Sequence, residues 1–376
     1  MPAPLDEFPV HQTPLSIARV ASSDRNFYDR YYFNAHDRTG DVFVVTGYGV
    51  YPNLGTKDAF VTVGRRGRHT TVRLSDAFDA ATDDRLNPGV GAYRIEVKEP
   101  LHELRVVCDA ADQGIAMDLT WRGSFPAVDE EPHVLLRDGR VILDAQRFAQ
   151  VGTWEGTLNV EGTDYAVTPD TWLGTRDRSW GVRPSGEAEP PGRAAAERDP
   201  DGGMWWTYAP LRFDDFAIIV IVQEEPDGTR TLNQATRVWP AETGRRPEQL
   251  GWPEFDIEYA SGTRTPVRAT LRMKDLAGKP VVVEVEPLGH VVLNAGPGYG
   301  MDPTWTHGQW RGRDWSEGVV VDTANDEAAA GRAKFSIIDH VARATCDGAE
   351  GWGLFEHGCL GRHDPSGFAD FTSVAP

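Results

Sequence analysis

The chain is poor in cysteine, in positive charge and in long apolar runs, and each shortage excludes something. Cysteine occurs at Cys108, Cys346 and Cys359 in 376 residues. An odd, widely spaced set is no disulfide framework and fits a reducing compartment. Against 57 acidic residues stand 38 basic ones, a net charge of −19. A surface of that sign lacks the basic face that would neutralise nucleic-acid phosphates or anionic lipid headgroups, so neither is expected as a partner. The longest apolar run, residues 216–222, is strand-sized and far too short to span a membrane. Residues 1–13 carry prolines and acids without a basic flank or an apolar run, so no signal peptide is expected. The expected location is cytoplasmic. No phosphate-binding loop with a Lys-Ser/Thr ending and no nucleophile elbow is found.

What is present reads as β-structure. In residues 254–260, Phe255, Ile257 and Tyr259 alternate with Glu254, Asp256 and Glu258. In residues 266–274, Val267, Ala269, Leu271 and Met273 alternate with Arg268, Thr270, Arg272 and Lys274. Period-two alternation marks strands with one wet face, and the acidic face of the first suits the basic face of the second across a ladder. Asp138-Gly139 and Asp227-Gly228 are hairpin signals. The run 216–222 has no polar alternation, so it should be buried on both faces. Helical periodicity is almost absent. Many short strands with glycine-rich turns predict an all-β chain of barrels or sandwiches.

The stretch 185–203 contains Pro190-Pro191-Gly192 and Asp199-Pro200-Asp201-Gly202-Gly203, the composition of a linker or long loop. It divides the chain into 1–184 and 204–376. Trp-Arg-Gly occurs at 121–123 and again at 310–312, a weak hint of two related halves.

Four segments carry candidate chemistry. Residues 174–184, Gly-Thr-Arg-Asp-Arg-Ser-Trp-Gly-Val-Arg-Pro, set Asp177 among three arginines and bracket the cluster with glycines, which suggests a sharply bent backbone. Asp177 is either a carboxyl aimed into a cavity or one member of a structural ion-pair knot. In residues 305–312, His307 sits between glycine and aromatic residues, where it is either a proton carrier or a hydrogen-bonded wall histidine. Residues 355–364 contain His357, Cys359 and His363, but no second closely spaced ligand pair is evident, so no metal is expected. On a strand, Glu356 and His357 point to opposite faces, as do Trp205 and Trp206 in residues 203–208, so one of each pair can face a given cavity. The chain has 12 tryptophans, and aromatic walls suit an apolar or aromatic ligand.

The Arg-Asp-Arg-Ser-Trp-Gly core, the His307-Gly308-Gln309-Trp310 segment, and the glycine-rich run 351–358 with Gly361-Arg362 resemble the AttH-like and carotenoid 1,2-hydratase-like proteins. The resemblance implies two consecutive lipocalin-like antiparallel β domains, 1–184 and 204–376, with a cavity near their junction. It also implies chemistry of hydratase or Diels–Alder cyclase type, with no cofactor. The candidate catalytic residues are then Asp177, His307 and Tyr208. Arg176, Trp180, Trp206, Trp310 and His357 are the candidate substrate-binding residues. A desolvated Asp177 would have a raised pKa, opposed by Arg176 or Arg178. The leading expectation is a lyase, hydratase or isomerase acting by acid–base chemistry on an apolar or aromatic small molecule. A shape-driven cyclase and a non-catalytic carrier are the alternatives. The oligomeric state stays open, a homodimer included.

Overall fold

The computed structural model describes residues 2–10, 16, 18–137, 139–189, 202–300 and 302–376. Among them, the strands form two large antiparallel sheets. The first runs, in spatial order, through Trp315–Asp322, Arg68–Ala77, Thr56–Arg65, Phe43–Tyr51, Phe27–Asp37, Trp172–Val182, Arg140–Val160, Ile115–Gly123, Glu103–Ala110, Tyr93–Glu99 and Gly89–Val90. The second runs through Glu248–Gln249, Arg230–Val238, Ala217–Glu224, Gly203–Phe213, Ala349–Gly361, Ile338–Cys346, Pro280–Val292, Pro266–Lys274 and Glu254–Tyr259. A short α-helix, Glu327–Ala333, is capped by the Asp326 side chain. This is the all-β, two-domain lipocalin-like fold. Among the described residues no helix is long and apolar enough to cross a membrane.

Three apolar cores explain the architecture. The first sheet curls round one built from Tyr31, Phe33, Val61, Leu104, Trp121 and Trp154. The second sheet encloses another, including Leu211, Val220, Leu271, Val283 and Phe355. The third lies between the sheets, where their outer faces pack back to back. Ala217–Glu224 shows why its sequence has no polar alternation. Ile218, Val220 and Val222 enter the second core while Ala217, Ile219 and Ile221 enter the third, so the strand is buried on both faces. Phe27–Asp37 does the same in the first sheet, with Tyr31 and Phe33 on one side and Tyr32 on the other. The expected acidic and basic ladder also forms: Glu254 pairs with Arg272 and Glu258 with Arg268.

The two halves of the chain are interlaced. Every strand of the second sheet begins after residue 202, but Trp315–Asp322 crosses back to become the outermost strand of the first sheet, beside Arg68–Ala77. Arg73 holds this crossing down. It pairs with Asp302 at 2.9 Å, donates to the Gly296 carbonyl at 2.8 Å and lies over Trp305. Gly289 of the second sheet packs tightly against Gly40, in the loop after Phe27–Asp37. A Cβ on Gly289 would sit 1.8 Å from the Gly40 carbonyl oxygen. Gly289→Ala should therefore push the sheets apart and destabilise the protein by about 1–3 kcal/mol, read as a lower urea midpoint. An unchanged midpoint would contradict this packing.

The expected linker is described in part. Residues 185–189 are tied to the irregular segment around His307 through Gly186 N–H to the His307 carbonyl, and to the first sheet through an Arg140–Glu189 ion pair of 2.7 Å. Residues 190–201 lie outside the described residues, as does Asp138 of the first hairpin signal. The Trp-Arg-Gly repeat has no structural counterpart. Trp121 is buried in a strand, whereas Trp310 is 50% exposed in an irregular segment.

Candidate active site between the two sheets

Residues 172–182 form a continuous strand rather than a sharp bend, hydrogen-bonded to Phe27–Asp37 on one side and Arg140–Val160 on the other. The glycines serve close approach. A Cβ on Gly174 would lie 2.0 Å from the Asn34 carbonyl oxygen, and Gly181 has φ of 126°. Period two then separates the cluster. Arg176 and Arg178 leave one face, while Thr175, Asp177 and Ser179 leave the other.

The arginine face points into the first domain. Arg176 is fully buried, holds both carboxylate oxygens of Glu7 at 2.7 and 2.8 Å, and donates to Gln150 at 2.8 Å. Arg178 pairs with Asp29 at 2.6 Å and lies 4.0 Å above the Tyr31 ring. Neither reaches Asp177.

Asp177 points into a cavity of about 220 Å³ between the sheets. Each wall comes from one sheet. On the first, Tyr32 is the cross-strand partner of Asp177, and Arg147 sits diagonally from it as the partner of Ser179. On the second, Asp339, Glu356 and Tyr208 are successive cross-strand partners in one row. Apolar surface comes from Leu143, Met204, Trp206, Ile221, Leu293 and Ile337.

Two carboxyl groups, Asp177 and Glu356, line the cavity, and Glu130 and Asp339 interact with them. Burial pushes the Asp177 carboxyl up to about 7, and the neighbouring Glu130 and Glu356 reinforce this. The guanidiniums that oppose the shift are Arg147 and Arg183, in place of the expected Arg176 and Arg178. Asp339 and Glu356 face each other, and burial raises both. Asp339 is held well above the usual carboxyl range, so the pair competes for one proton. The Tyr32 hydroxyl donates to Asp339 at 2.5 Å, and the Trp206 indole N–H donates to Glu356. Arg147 pairs with Glu130 at 2.8 Å and lies over the face of Trp206, on which His133 also stacks.

The other candidates are dispersed. Tyr208 and Trp206 line the Asp177 cavity, while Trp205 turns into the second core. His307 belongs to a neighbouring cavity that shares Arg183 and Tyr299 with the first. Its Nε2 donates to the Pro297 carbonyl at 2.7 Å, its ring stacks on Phe60, and Arg30 and Arg183 flank it. Burial and those two cations push its pKa well below the usual range, so the ring is neutral near pH 7. His357 lies in the second core, bonded to Thr207 at 2.9 Å and Tyr259 at 3.0 Å, and burial lowers it to about 3. Its strand neighbour Glu356 is the one that faces the cavity. Trp180 packs beside Phe148 at a separate cleft with Leu5 and Phe27, and Trp310 is on the surface.

Among the described residues no group of three or more histidine, cysteine, aspartate or glutamate side chains is placed to hold a metal ion. His363 is bonded to Glu224 and Ser366, and Cys359 to Arg264. Arg30, Glu130, His133, Arg147 and Asp339 carry no sequence motif. Strand register and the packing of one sheet on the other bring them together.

The profile of a family of unknown function, DUF8625, matches residues 3–369. The chain belongs to that family. Three solved structures are similar to the chain to differing degrees. One described as an AttH from Nitrosomonas europaea has a TM-score of 0.52 at 15% identity, covering 90% of this chain and 93% of its own. CghA with Sch210972 has a TM-score of 0.51 at 11% identity, covering 94% of each chain. Kievitone hydratase from Nectria haematococca has a TM-score of 0.48 at 13% identity, covering 88% of each. No curated protein matches the chain. The first two likenesses establish the fold, as the sequence resemblance implied.

Proposed function

We propose that the cavity between the sheets is the active site of a lyase, hydratase or isomerase that works by acid–base chemistry, without a redox cofactor, on a small apolar or aromatic molecule. One observation carries this reading. Half-buried Asp177 presents a carboxyl, raised to about 7 by its surroundings, to a cavity whose wall joins Trp206, Met204 and aliphatic side chains to Arg147, Arg183 and Glu356. A group whose pKa lies near the working pH can both give and take a proton. In a hydration, the Asp177 proton adds to one alkene carbon and the oxygen of water bonds to the other. The proton that this water sheds restores the carboxyl. In an isomerisation, the same carboxyl returns a proton to a different carbon. Tyr208, facing Asp177 from the opposite sheet, is the complementary group in this reading. His307, held neutral in the neighbouring cavity, positions Arg183. That CghA holds a small molecule, Sch210972, in a similar fold supports a ligand-binding use of this architecture.

The test is proton exchange. The protein is incubated in deuterated water with a panel of aryl alkenes and isoprenoid alkenes. Deuterium incorporation or water addition by the wild type, absent from Asp177→Asn, is the expected result. Turnover retained by Asp177→Asn, with a pH–rate profile flat across neutrality, would instead favour a shape-driven cyclase, a reading for which the six apolar lining residues speak.

A further inference from the structure

Four polar atoms around the Asp177 cavity are buried and have no partner with hydrogen-bond geometry: the Tyr208 hydroxyl, Nη2 of Arg147, Nε2 of His133 and Oε1 of Glu130. Tyr208 is 5% exposed and His133 2%. Three of the four residues, Tyr208, Arg147 and His133, line the cavity directly. Buried polar groups are nearly always satisfied, so a cluster of orphans at one end of one cavity calls for a shared explanation. Two of them, the guanidinium N–H and the phenol O–H, are donors, and neutral His133 has one ring nitrogen able to donate. The matching ligand atom is an acceptor.

The arrangement is held in place. Arg147 is fixed by its ion pair with Glu130 and by contact with the Trp206 face, which His133 flanks as well. Tyr208 lines the cavity from the opposite sheet, and both it and Arg147 adjoin Glu130. Asp177 lies diagonally across the ladder from Arg147. Tyr208 also lies within hydrogen-bonding reach of Glu130, to whose carboxylate its hydroxyl can donate when no ligand is bound. The rival account is therefore a tyrosine that merely relaxes onto Glu130.

We infer that Arg147, Tyr208 and His133 form a recognition site for a carbonyl or enol oxygen, so that the ligand class is an aryl or alkenyl ketone whose apolar body lies against Trp206 and Ile221. As a statement about substrate, this rests on the acid–base reading of Asp177. As a statement about binding, it stands apart from that reading. A conjugated ketone would place its oxygen between Arg147 and Tyr208 and its alkene carbons toward Asp177. Negative charge moving onto the oxygen as a carbon is deprotonated, or as water adds to the conjugated alkene, would then meet these donors.

Two probes of nearly equal size separate the accounts: benzylideneacetone, which carries the ketone, and phenylbutene, which does not. Binding is measured by calorimetry. The wild type should prefer benzylideneacetone by about tenfold or more, because the hydrocarbon leaves the donors unpaired. Tyr208→Phe keeps the ring and removes only the hydroxyl, and should lose most of that preference. His133→Phe, which keeps the stack on Trp206, should reduce it further. Equal affinity for the two probes, no binding of benzylideneacetone, or an undiminished preference in Tyr208→Phe would overturn the inference. Solvent-deuterium exchange is scored separately. Ketone preference without exchange removes the acid–base reading and leaves this site standing. Exchange with no preference does the reverse.

Discussion

Asp177→Asn should abolish turnover and leave the protein more stable than the wild type above about pH 7. The sign follows from the direction of the shift. In the unfolded chain the carboxyl ionises near 3.8, and in the folded protein near 7. Below the lower value both states are protonated and the group does not oppose folding. As pH rises between the two values, the unfolded chain gives up its proton first, so stability is progressively lost until the folded carboxyl ionises. Asparagine has nothing to ionise, so the variant should not lose this increment. Arg30, Tyr32, His133, Arg147, Arg183, Tyr208, Tyr299 and Glu356 line the same cavity, Glu130 and Asp339 interact with that cluster, and all remain in both proteins, so the difference between the two curves reports Asp177 together with its coupling to them. Urea unfolding of both proteins across pH 4 to 8 measures it. A structural ion-pair member would give the opposite result, because the variant would be less stable at neutral pH. A functional group kept at a cost to stability is the pattern expected of an active site.

Arg176→Met should destabilise the protein by about 3–5 kcal/mol, because it strands the Glu7 carboxylate in a place without water. Arg176 and Glu7 are both fully buried and joined by two short hydrogen bonds. The same carboxylate also accepts from the Leu101 N–H at 2.8 Å, so it stays fixed once its cation is gone. Combining Glu7→Gln with Arg176→Met should recover much of the loss, because no buried charge is then left without a partner. Urea midpoints of the single and double variants check this. A substrate-binding Arg176 would behave differently: ligand affinity would fall while the midpoint stayed near that of the wild type.

These two neighbouring residues show what the sequence can and cannot disclose. Alternation alone identifies residues 254–260 and 266–274 as facing strands, and the unbroken run 216–222 as buried on both sides. The same rule places Trp205 opposite Trp206, and Glu356 opposite His357. It does not say which member faces the ligand, because that depends on which side of a strand meets the other sheet. In residues 174–184 the two glycines suggest a bend that hides the alternation. As a strand, the segment sends Arg176 and Arg178 away from Asp177, and the apparent charged knot divides into a structural half and a cavity half. Arg147 and Glu130 carry no signal of their own. They reach Asp177 through strand registers, and Tyr208 and Glu356 reach it through the packing of one sheet on another. Period two fixes neither. The crossing of Trp315–Asp322 back to the first sheet is equally silent, since a strand with one wet face could belong to either sheet.

The account stands on the protonation state of one carboxyl, and an infrared difference titration of the wild type against Asp177→Asn reads it directly. The predicted result is a protonated carboxyl band, present in the wild type under mildly acidic conditions and missing from the variant, that disappears with a midpoint of about 7. A band that titrates near 3.8, as for an ordinary aspartate, or wild-type and variant spectra that match throughout, would contradict it.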